Sequence, residues 1–260
     1  MTLVENFYAQ EFFLAIVVLF SGLQKGLAQE AKLITAFMSR APLIDGHIYP
    51  DEWFIADSQT VFIQMEPQKG QAASEKTIVY NGFDNDNLYF AFRCSDKQSE
   101  KIVSNIYTRD KLEKSDDVVI VILDTYLDQR SGYVFIVNPA GTQTDIRVVD
   151  DGRTTDINWD TRWQAAARVY EWGWAVEIAI AFSAINYDED LTEFGVNFGR
   201  IIRKNSETAY WAGAINSDYR ISQGGILQGL TLPAKQKTVV LTPYTTLRYE
   251  NLNSNKKKVV

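Results

Sequence analysis

The sequence predicts an all-β domain, either a β-sandwich or a β-barrel, over residues 30–235. Many short segments alternate apolar and polar residues with a period of two, and clusters of Gly, Pro, Asn and Asp separate them. After residue 30 there is no amphipathic helix pattern, so helix is expected only as single turns, for example near Ser183. Neither an internal repeat nor a low-complexity linker divides the range, which favours one domain.

The clearest alternating segments are assigned as strands. In chain order they are residues 76–80, 88–94, 118–123, 133–138, 144–149, 164–170, 174–182, 194–202 and 209–212. Residues 118–123 (VVIVIL) are apolar on both faces, so they are expected to form a central strand that is covered on both sides. The side chains predicted to lie in the core are Leu88, Phe90, Phe92, Val118, Ile120, Ile122, Trp174, Val176, Ile178 and Ile180.

Turn-forming residues explain where these strands end. Residues 84–87 (DNDN) join the first two strands into a hairpin, because Asp and Asn stabilise turns with their own side chains. Residues 139–141 (PAG) and 150–152 (DDG) end the next strands in the same way. Residues 171–173 (EWG) form a tight turn, and residues 174–182 then bury alternate side chains.

The composition argues against several classes of function. The formal net charge of -7 repels a phosphate backbone, so nucleic acid is not an expected partner. Cys94 and His47 are the only residues of their types, which excludes an internal disulfide and a zinc site built from several Cys or His ligands. No nucleophile elbow, phosphate-binding glycine loop or dinucleotide fingerprint is present. The chain is therefore expected to be non-catalytic.

The N-terminal residues 1–28 have the features of a signal peptide. Residues 12–20 form an apolar run that is too short to span a bilayer comfortably, and residues 26–28 (GLA) place small residues before a cleavage point at Gln29. Glu5 and the absence of Lys or Arg before the apolar run depart from the usual pattern. We expect export, and a buried strand or helix is the alternative.

The C-terminal residues 236–260 contain one more alternating segment, followed by a polar and then basic tail. Residues 239–249 have the length of a membrane-crossing strand, with Tyr244 and Tyr249 as interfacial aromatic residues. An apolar strand without a partner is an aggregation hazard. The segment therefore either adds to an edge of the sandwich or begins a membrane β-barrel, and we favour the barrel.

A series of short motifs runs through the chain. They are Pro42-Leu43-Ile44-Asp45-Gly46, Trp53, Asn87-Leu88-Tyr89-Phe90, Arg109-Asp110, Asp116-Asp117, Asp124, Asp128, Asn138-Pro139, Trp159-Asp160, Trp163, Gly173-Trp174, Glu177, Asn197, Arg200 and Trp211. Their order and spacing resemble those of family 9 carbohydrate-binding modules over roughly residues 32–245. The resemblance is stronger to a variant at the N-terminus of long exported proteins of Gram-negative bacteria, in which an outer-membrane β-barrel follows.

The resemblance implies a two-sheet antiparallel β-sandwich of the jelly-roll type that binds a mono- or oligosaccharide. Family members clamp a terminal sugar ring between paired aromatic residues, and calcium is the candidate cofactor. The resemblance places the protein in the periplasm or at the outer-membrane surface, with membrane contact only through a C-terminal barrel. The leading hypothesis is a non-catalytic carbohydrate-binding domain of an exported or outer-membrane-associated protein. A structural periplasmic domain without a sugar ligand and part of a glycan-degrading hydrolase are the alternatives.

The six tryptophans are candidates for sugar contact, because an indole matches the apolar face of a pyranose ring. Trp53, Trp163 and Trp174 occupy positions expected in the core, whereas for the other three packing and ligand contact both remain open. Trp172 lies in a turn and is expected to be at least half exposed. Glu177 interrupts an apolar strand and points away from the core by strand parity, which predicts a solvent-facing or sheet-concave position. The residues predicted to bind the ligand are Tyr107, Arg109, Trp159, Trp172, Glu177 and Trp211.

Asp116 and Asp117 are the candidate metal ligands. Two adjacent carboxylates at the entry to an apolar strand need partners, and Arg109, Arg130 or a cation such as calcium would supply them. The alternative is that these and the other acidic clusters form ordinary turns and strand ends, because none has the spacing of a calcium-binding loop.

Overall fold

The computed structural model describes residues 31–53, 58–111, 115–213, 215–234 and 245. The strands of the described residues are β1 (Lys32–Ile34), β2 (Ser58–Gln59), β3 (Ile63–Glu66), β4 (Thr77–Phe83), β5 (Asn87–Ser95), β6 (Val118–Asp124), β7 (Gly132–Val137), β8 (Gln143–Val149), β9 (Thr154–Asp156), β10 (Trp163–Tyr170), β11 (Gly173–Ala181), β12 (Glu193–Ile202), β13 (Glu207–Tyr210) and β14 (Gly225–Gln228). The helical elements are single turns: α1 (Pro50–Trp53) and the 3₁₀ turns Ser99–Lys101, Phe182–Ala184 and Arg203–Asn205.

These strands form two sheets, one of nine strands and one of five. The larger sheet has the order β1-β14-β12-β6-β7-β8-β9, and β13 pairs with both β12 and β3. The smaller sheet has the order β10-β11-β5-β4-β2. Neighbouring strands are antiparallel, except for the parallel pair β1 and β14. The sheets do not close into a barrel, which confirms the predicted two-sheet antiparallel β-sandwich.

The central core lies between the two sheets and is built from the alternate residues that the sequence pattern singles out. The rings of Phe90 and Phe92 from β5 lie 5.4 and 5.7 Å from that of Phe198 on β12, across the interface of the sheets. Trp174 of β11 is completely buried in the same cluster. Every residue predicted to lie in the core is buried, but Val118, Ile120 and Ile122 belong to a second cluster outside the inter-sheet core.

β6 is covered on both faces, as its unbroken apolar sequence predicts. Val119 and Val121 face the central core. Ile120 and Ile122 belong instead to a second cluster on the outer side of the large sheet, where residues of the 215–221 segment cover them. The even-numbered residues of β6 are therefore buried outside the inter-sheet core. Their low exposure alone does not show which of the two clusters they join.

The outer face of the small sheet is covered by residues 36–53, here called the strap. Met38 and Trp53 of the strap pack against Tyr89 and other outward-facing residues of the small sheet. Gly46 has a φ of +82°, and a Cβ there would lie 2.8 Å from the main-chain carbonyl carbon of Ala167 on β10. Only glycine permits this approach, because a side chain would collide with the main chain of the edge strand.

The elements that the sequence pattern missed are all short. They are β1, β2, β3, β9, β14, α1 and the 3₁₀ turns Ser99–Lys101 and Arg203–Asn205, each of two to four residues. Such segments are too short to display a periodicity, and pairing with a neighbouring strand decides their conformation. The helical turn expected near Ser183 is present as Phe182–Ala184.

The predicted signal peptide, residues 1–28, lies outside the described residues, and so does the predicted C-terminal segment apart from residue 245. Both remain predictions. Among the described residues, no helix has the length and apolar character needed to cross a membrane.

Candidate functional site

A cleft of about 700 Å³ opens at the end of the sandwich where β4 begins and β5 ends. We call it the Trp172 cleft. It is lined by Thr60, Val61, Phe62, Ala72, Ala73, Ser74, Glu75, Lys76, Ser95, Asp96, Lys97 and Trp172. The lining comes from four separate segments, residues 60–62, 72–76, 95–97 and 172, so only the tertiary fold brings these residues together.

Gly173 holds Trp172 in place between β10 and β11. Its φ is +133°, and a Cβ there would lie 2.1 Å from the carbonyl oxygen of Cys94, so the turn requires glycine. The carbonyl oxygen of Trp172 accepts a hydrogen bond of 2.9 Å from the main-chain N–H of Asp96. The turn is thereby tied to the loop that follows β5.

The two faces of the Trp172 indole are covered by neighbouring side chains. Tyr170 stacks on the ring with a centroid distance of 4.8 Å and an interplanar angle of 12°. The guanidinium carbon of Arg93 lies 3.8 Å from the ring centroid. A tyrosine ring and a guanidinium group this close to the indole cannot share one of its faces. They therefore cover both faces, and the ring presents an edge to the cleft. Trp172 is partly exposed rather than at least half exposed, because these two stacked neighbours shield it.

A buried ion triad forms one wall of the cleft. Lys204 Nζ lies 3.0 Å from Glu75 Oε1 and 2.5 Å from Asp96 Oδ1, and all three side chains are almost completely buried. Burial acts to lower the pKa of Lys204, but its hydrogen bonds to Asp96 and Glu75 outweigh that effect and raise the pKa above its ordinary value. The triad fixes the two loops that carry Glu75 and Asp96 to the 3₁₀ turn that carries Lys204.

Arg200 of β12 supports the cleft from behind. It is 1% exposed and donates to the carbonyl oxygens of Lys76 (3.1 Å) and Ser95 (2.9 Å), both of which line the cleft. Burial raises the pKa of the neighbouring Asp117, and the positive charge of Arg200 acts in the opposite direction. Arg200 therefore joins the large sheet to the two strand ends that frame the cleft, which accounts for its place among the motifs of the sequence.

Arg109, Trp159 and Tyr107, three of the predicted ligand-binding residues, lie away from this cleft. Arg109 Nη2 lies 2.5 Å from Asp145 and 3.1 Å from Asp160, in the wall of a shallow cavity of about 400 Å³. Trp159 packs on the ring of Tyr133 at 4.8 Å and is partly exposed. Tyr107 is 77% exposed.

The two regions lie at opposite ends of the small sheet. Arg109 lies near Trp163, the first residue of β10, and Trp172 follows Tyr170, the last residue of the same strand. These ends are about 23 Å apart at a rise of about 3.3 Å per residue. Trp159 and Trp172 consequently cannot clamp one sugar ring between them.

Glu177 does not face solvent, which corrects the expectation from strand parity. It is 0% exposed because the strap covers the outer face of the sheet. Its carboxylate accepts hydrogen bonds from the indole N–H of Trp53 (2.9 Å) and from the main-chain N–H groups of Asp45 (3.1 Å) and Gly46 (3.0 Å). Burial raises the pKa of Glu177, and the three donors act in the opposite direction. Glu177 anchors the Asp45-Gly46 and Trp53 motifs, and no part of it faces a ligand.

Trp211 is a core residue. It is 7% exposed, lies 5.5 Å from the ring of Phe198, and donates from its indole N–H to Gln59 Oε1 at 3.2 Å. Of the two alternatives left open for Trp211, the structure supports packing.

Asp116 and Asp117 point to different partners, and neither Arg109 nor Arg130 is among them. Asp116 Oδ2 accepts the side-chain N–H of Asn138 at 2.9 Å and the main-chain N–H groups of residues 105 and 106. Asp117 accepts main-chain N–H groups of residues 103 and 203. Asp116 Oδ1 is buried and has no hydrogen-bond partner among the described residues, but no group of three or more His, Cys, Asp or Glu in that part of the chain converges on a possible ion. Calcium binding remains a prediction.

The residues of the Trp172 cleft other than Trp172 were not singled out from the sequence. Glu75, Lys76 and Lys97 are ordinary loop residues by composition, and Asp96 is distinguished only by its position just after a strand. The tryptophan in the turn is the one sequence feature that points to this cleft.

The described residues thus form a two-sheet β-sandwich domain with a loop-built cleft at one end. A family 9 carbohydrate-binding module from Caldicellulosiruptor kristjanssonii, solved with cellotriose, is similar over 82% of this chain and 100% of its own, with a TM-score of 0.57 and 17% identity. A family 9 module from the same organism, solved with glucose, is similar over 80% of this chain and 99% of its own, with a TM-score of 0.55 and 16% identity. A candidate carbohydrate-binding protein from Bacteroides uniformis is similar over 77% of this chain and 99% of its own, with a TM-score of 0.61 and 12% identity.

No family model and no curated protein matches the sequence. At identities this low, the similarity to solved structures establishes the fold. The chain has the fold of a family 9 carbohydrate-binding module, as the motifs of the sequence imply.

Proposed function

We propose that this chain is a non-catalytic carbohydrate-binding domain of an exported or outer-membrane-associated protein, and that the Trp172 cleft is its sugar site. The observation that carries the proposal is this cleft, which combines an indole edge with apolar and polar groups. It lies on a fold shared with modules that were solved with glucose and cellotriose.

The lining matches the chemistry of a sugar. A pyranose ring has apolar C–H faces and a rim of hydroxyl groups. Val61 and Ala72 supply exposed apolar surface beside Trp172, and Ser74 and Lys76 supply polar contacts. Because only one aromatic edge is available, the dissociation constant is expected to lie between about 1 μM and about 1 mM.

The acidic residues of the cleft support a binding role rather than catalysis. Glycoside hydrolysis needs one carboxyl group that delivers a proton and a second that acts as a base or nucleophile. Glu75 and Asp96 both bind the same ammonium group, Lys204 Nζ, and both are buried. This arrangement holds the loops together and leaves neither carboxylate free for proton transfer.

Replacing Trp172 with alanine is expected to weaken sugar binding at least about tenfold, because Phe62, the other aromatic residue of the lining, is only 3% exposed and cannot replace the lost contact. Isothermal titration against a panel of oligosaccharides that includes cellotriose measures the effect. Tyr107→Ala is the control, since that aromatic side chain is 77% exposed and does not line the cleft. Trp159→Ala tests the other partly exposed tryptophan. If Trp159→Ala loses sugar binding and Trp172→Ala keeps it, the sugar site lies near Arg109 and Trp159 instead of in the Trp172 cleft.

A structural domain without a sugar ligand is the second candidate. It is favoured by the coverage of both faces of Trp172 by Tyr170 and Arg93, which leaves no free indole face for a sugar ring. The absence of heat with every saccharide of the panel, from a correctly folded protein, would establish this alternative.

A further inference from the structure

The charged groups that a ligand can reach within the lining of the Trp172 cleft are two lysine ammonium groups. Lys76 and Lys97 both line the cleft and are exposed. Neither forms an ion pair with an acidic side chain of the described residues. An ammonium group carries three donors and no acceptor, so these two side chains can recognise only acceptor groups of a ligand.

The carboxylates around the cleft are not available to complement them. Glu75 and Asp96 are buried and share Lys204. Glu207 is 2% exposed and accepts the main-chain N–H of Ser74 at 2.9 Å. Sugar hydroxyl groups that need an acceptor therefore find few accessible carboxylate oxygens here, whereas an anionic group finds two free ammonium groups.

Two further charges stand beside the cleft. The Arg93 guanidinium lies on the Trp172 ring and adds a positive charge. Glu171, which precedes Trp172 in the turn, is exposed and adds a negative one. The protein as a whole is acidic, with a formal charge of -7, so any attraction of an anion is local to the lysines.

We propose that the ligand of the Trp172 cleft is an anionic saccharide, with a carboxylate or sulfate group held between Lys76 and Lys97 and its ring against the Trp172 edge. This inference rests on the proposed sugar-binding function and specifies the class of ligand. It differs from the neutral sugars bound in the similar solved structures, glucose and cellotriose.

Titration with trigalacturonate and with cellotriose, two saccharides of equal length, tests the proposal. Trigalacturonate is expected to bind at least about tenfold more tightly at low salt and to lose most of this advantage at about 0.3 M NaCl, because salt screens exposed charges. A sulfated galactan trisaccharide in the same assay shows whether the site prefers a carboxylate or a sulfate group.

The double variant Lys76→Gln and Lys97→Gln is expected to lose about tenfold in affinity for trigalacturonate but only about twofold for cellotriose, because glutamine keeps a polar contact and carries no charge. Both side chains are exposed, so folding should be unaffected, and thermal unfolding verifies this. Glu171→Gln removes the neighbouring negative charge and is expected to strengthen trigalacturonate binding about twofold.

The outcomes separate the two proposals. If cellotriose binds as tightly as trigalacturonate and the lysine variants change neither affinity, the anionic ligand is wrong and the sugar-binding function stands. If no saccharide of either class binds the folded protein, both proposals fail.

Discussion

Replacing Glu177 with alanine is expected to lower the free energy of unfolding by about 3–5 kcal/mol. The variant leaves three N–H donors without an acceptor: the buried indole of Trp53, the buried main-chain group of Gly46 and the partly buried main-chain group of Asp45. It also creates a space between β11 and the strap, which packs over the outer face of the small sheet. Urea unfolding followed by tryptophan fluorescence measures the change.

Glu171→Ala is the matched control for Glu177→Ala. Glu171 lies near the start of the same hairpin strand but is exposed, so its loss should change stability by less than about 0.5 kcal/mol. Glu177→Gln keeps one acceptor oxygen and should fall between the two. A Glu177→Ala protein as stable as the control would show that the strap is held by apolar packing alone.

Replacing Lys204 with methionine is expected to lower the free energy of unfolding by a similar amount, about 3–5 kcal/mol. Methionine keeps the apolar stem of lysine but removes the one ammonium group that neutralises Glu75 and Asp96, leaving two buried carboxylates uncompensated. Lys97→Met, an exposed lysine beside the same cleft, is the control and should be nearly neutral. Adding Glu75→Gln and Asp96→Asn to Lys204→Met should recover most of the loss, because a neutral set has no buried charge to compensate.

The contribution of Lys204 also has a defined dependence on pH. Its pKa is raised in the folded protein from an ordinary value of 10.5, so the stabilisation is complete below about pH 10.5 and is lost as the pH rises through the folded-state pKa. The difference in unfolding free energy between the unmodified protein and Lys204→Met should therefore be constant from about pH 7 to about pH 10 and shrink above that range. A difference that vanishes at neutral pH would mean that the ion triad does not stabilise the domain.

The long strands of the fold were predictable from the sequence because their alternation is a local property. A segment such as β5 or β11 displays its buried face through every second residue, whatever its partners are. The alternation also revealed that β6 is apolar on both sides. It could not show which buried side faces the other sheet, because that depends on what covers the outer surface.

Glu177 shows the limit of the same argument. Its outward direction on β11 was correctly predicted by strand parity, yet the conclusion that it faces solvent was wrong, because the strap, more than 120 residues earlier, covers it. The Asp45-Gly46 motif and Glu177 were both noticed in the sequence. Their hydrogen bonds could not be inferred, since nothing in the local pattern of either segment indicates the other.

What the sequence determined by itself is the two-sheet antiparallel sandwich, the identity of its core residues and the resemblance to family 9 carbohydrate-binding modules. What only the tertiary structure decided is the direction and surroundings of the polar and aromatic side chains. Trp211 became a core residue, Trp159 and Trp172 were placed at opposite ends of the small sheet, and Trp172 came to lie beside Lys76 and Lys97. The physical reason is that periodicity reports which face of a strand is buried, whereas a cleft is made by loops whose meeting depends on the packing of the whole domain.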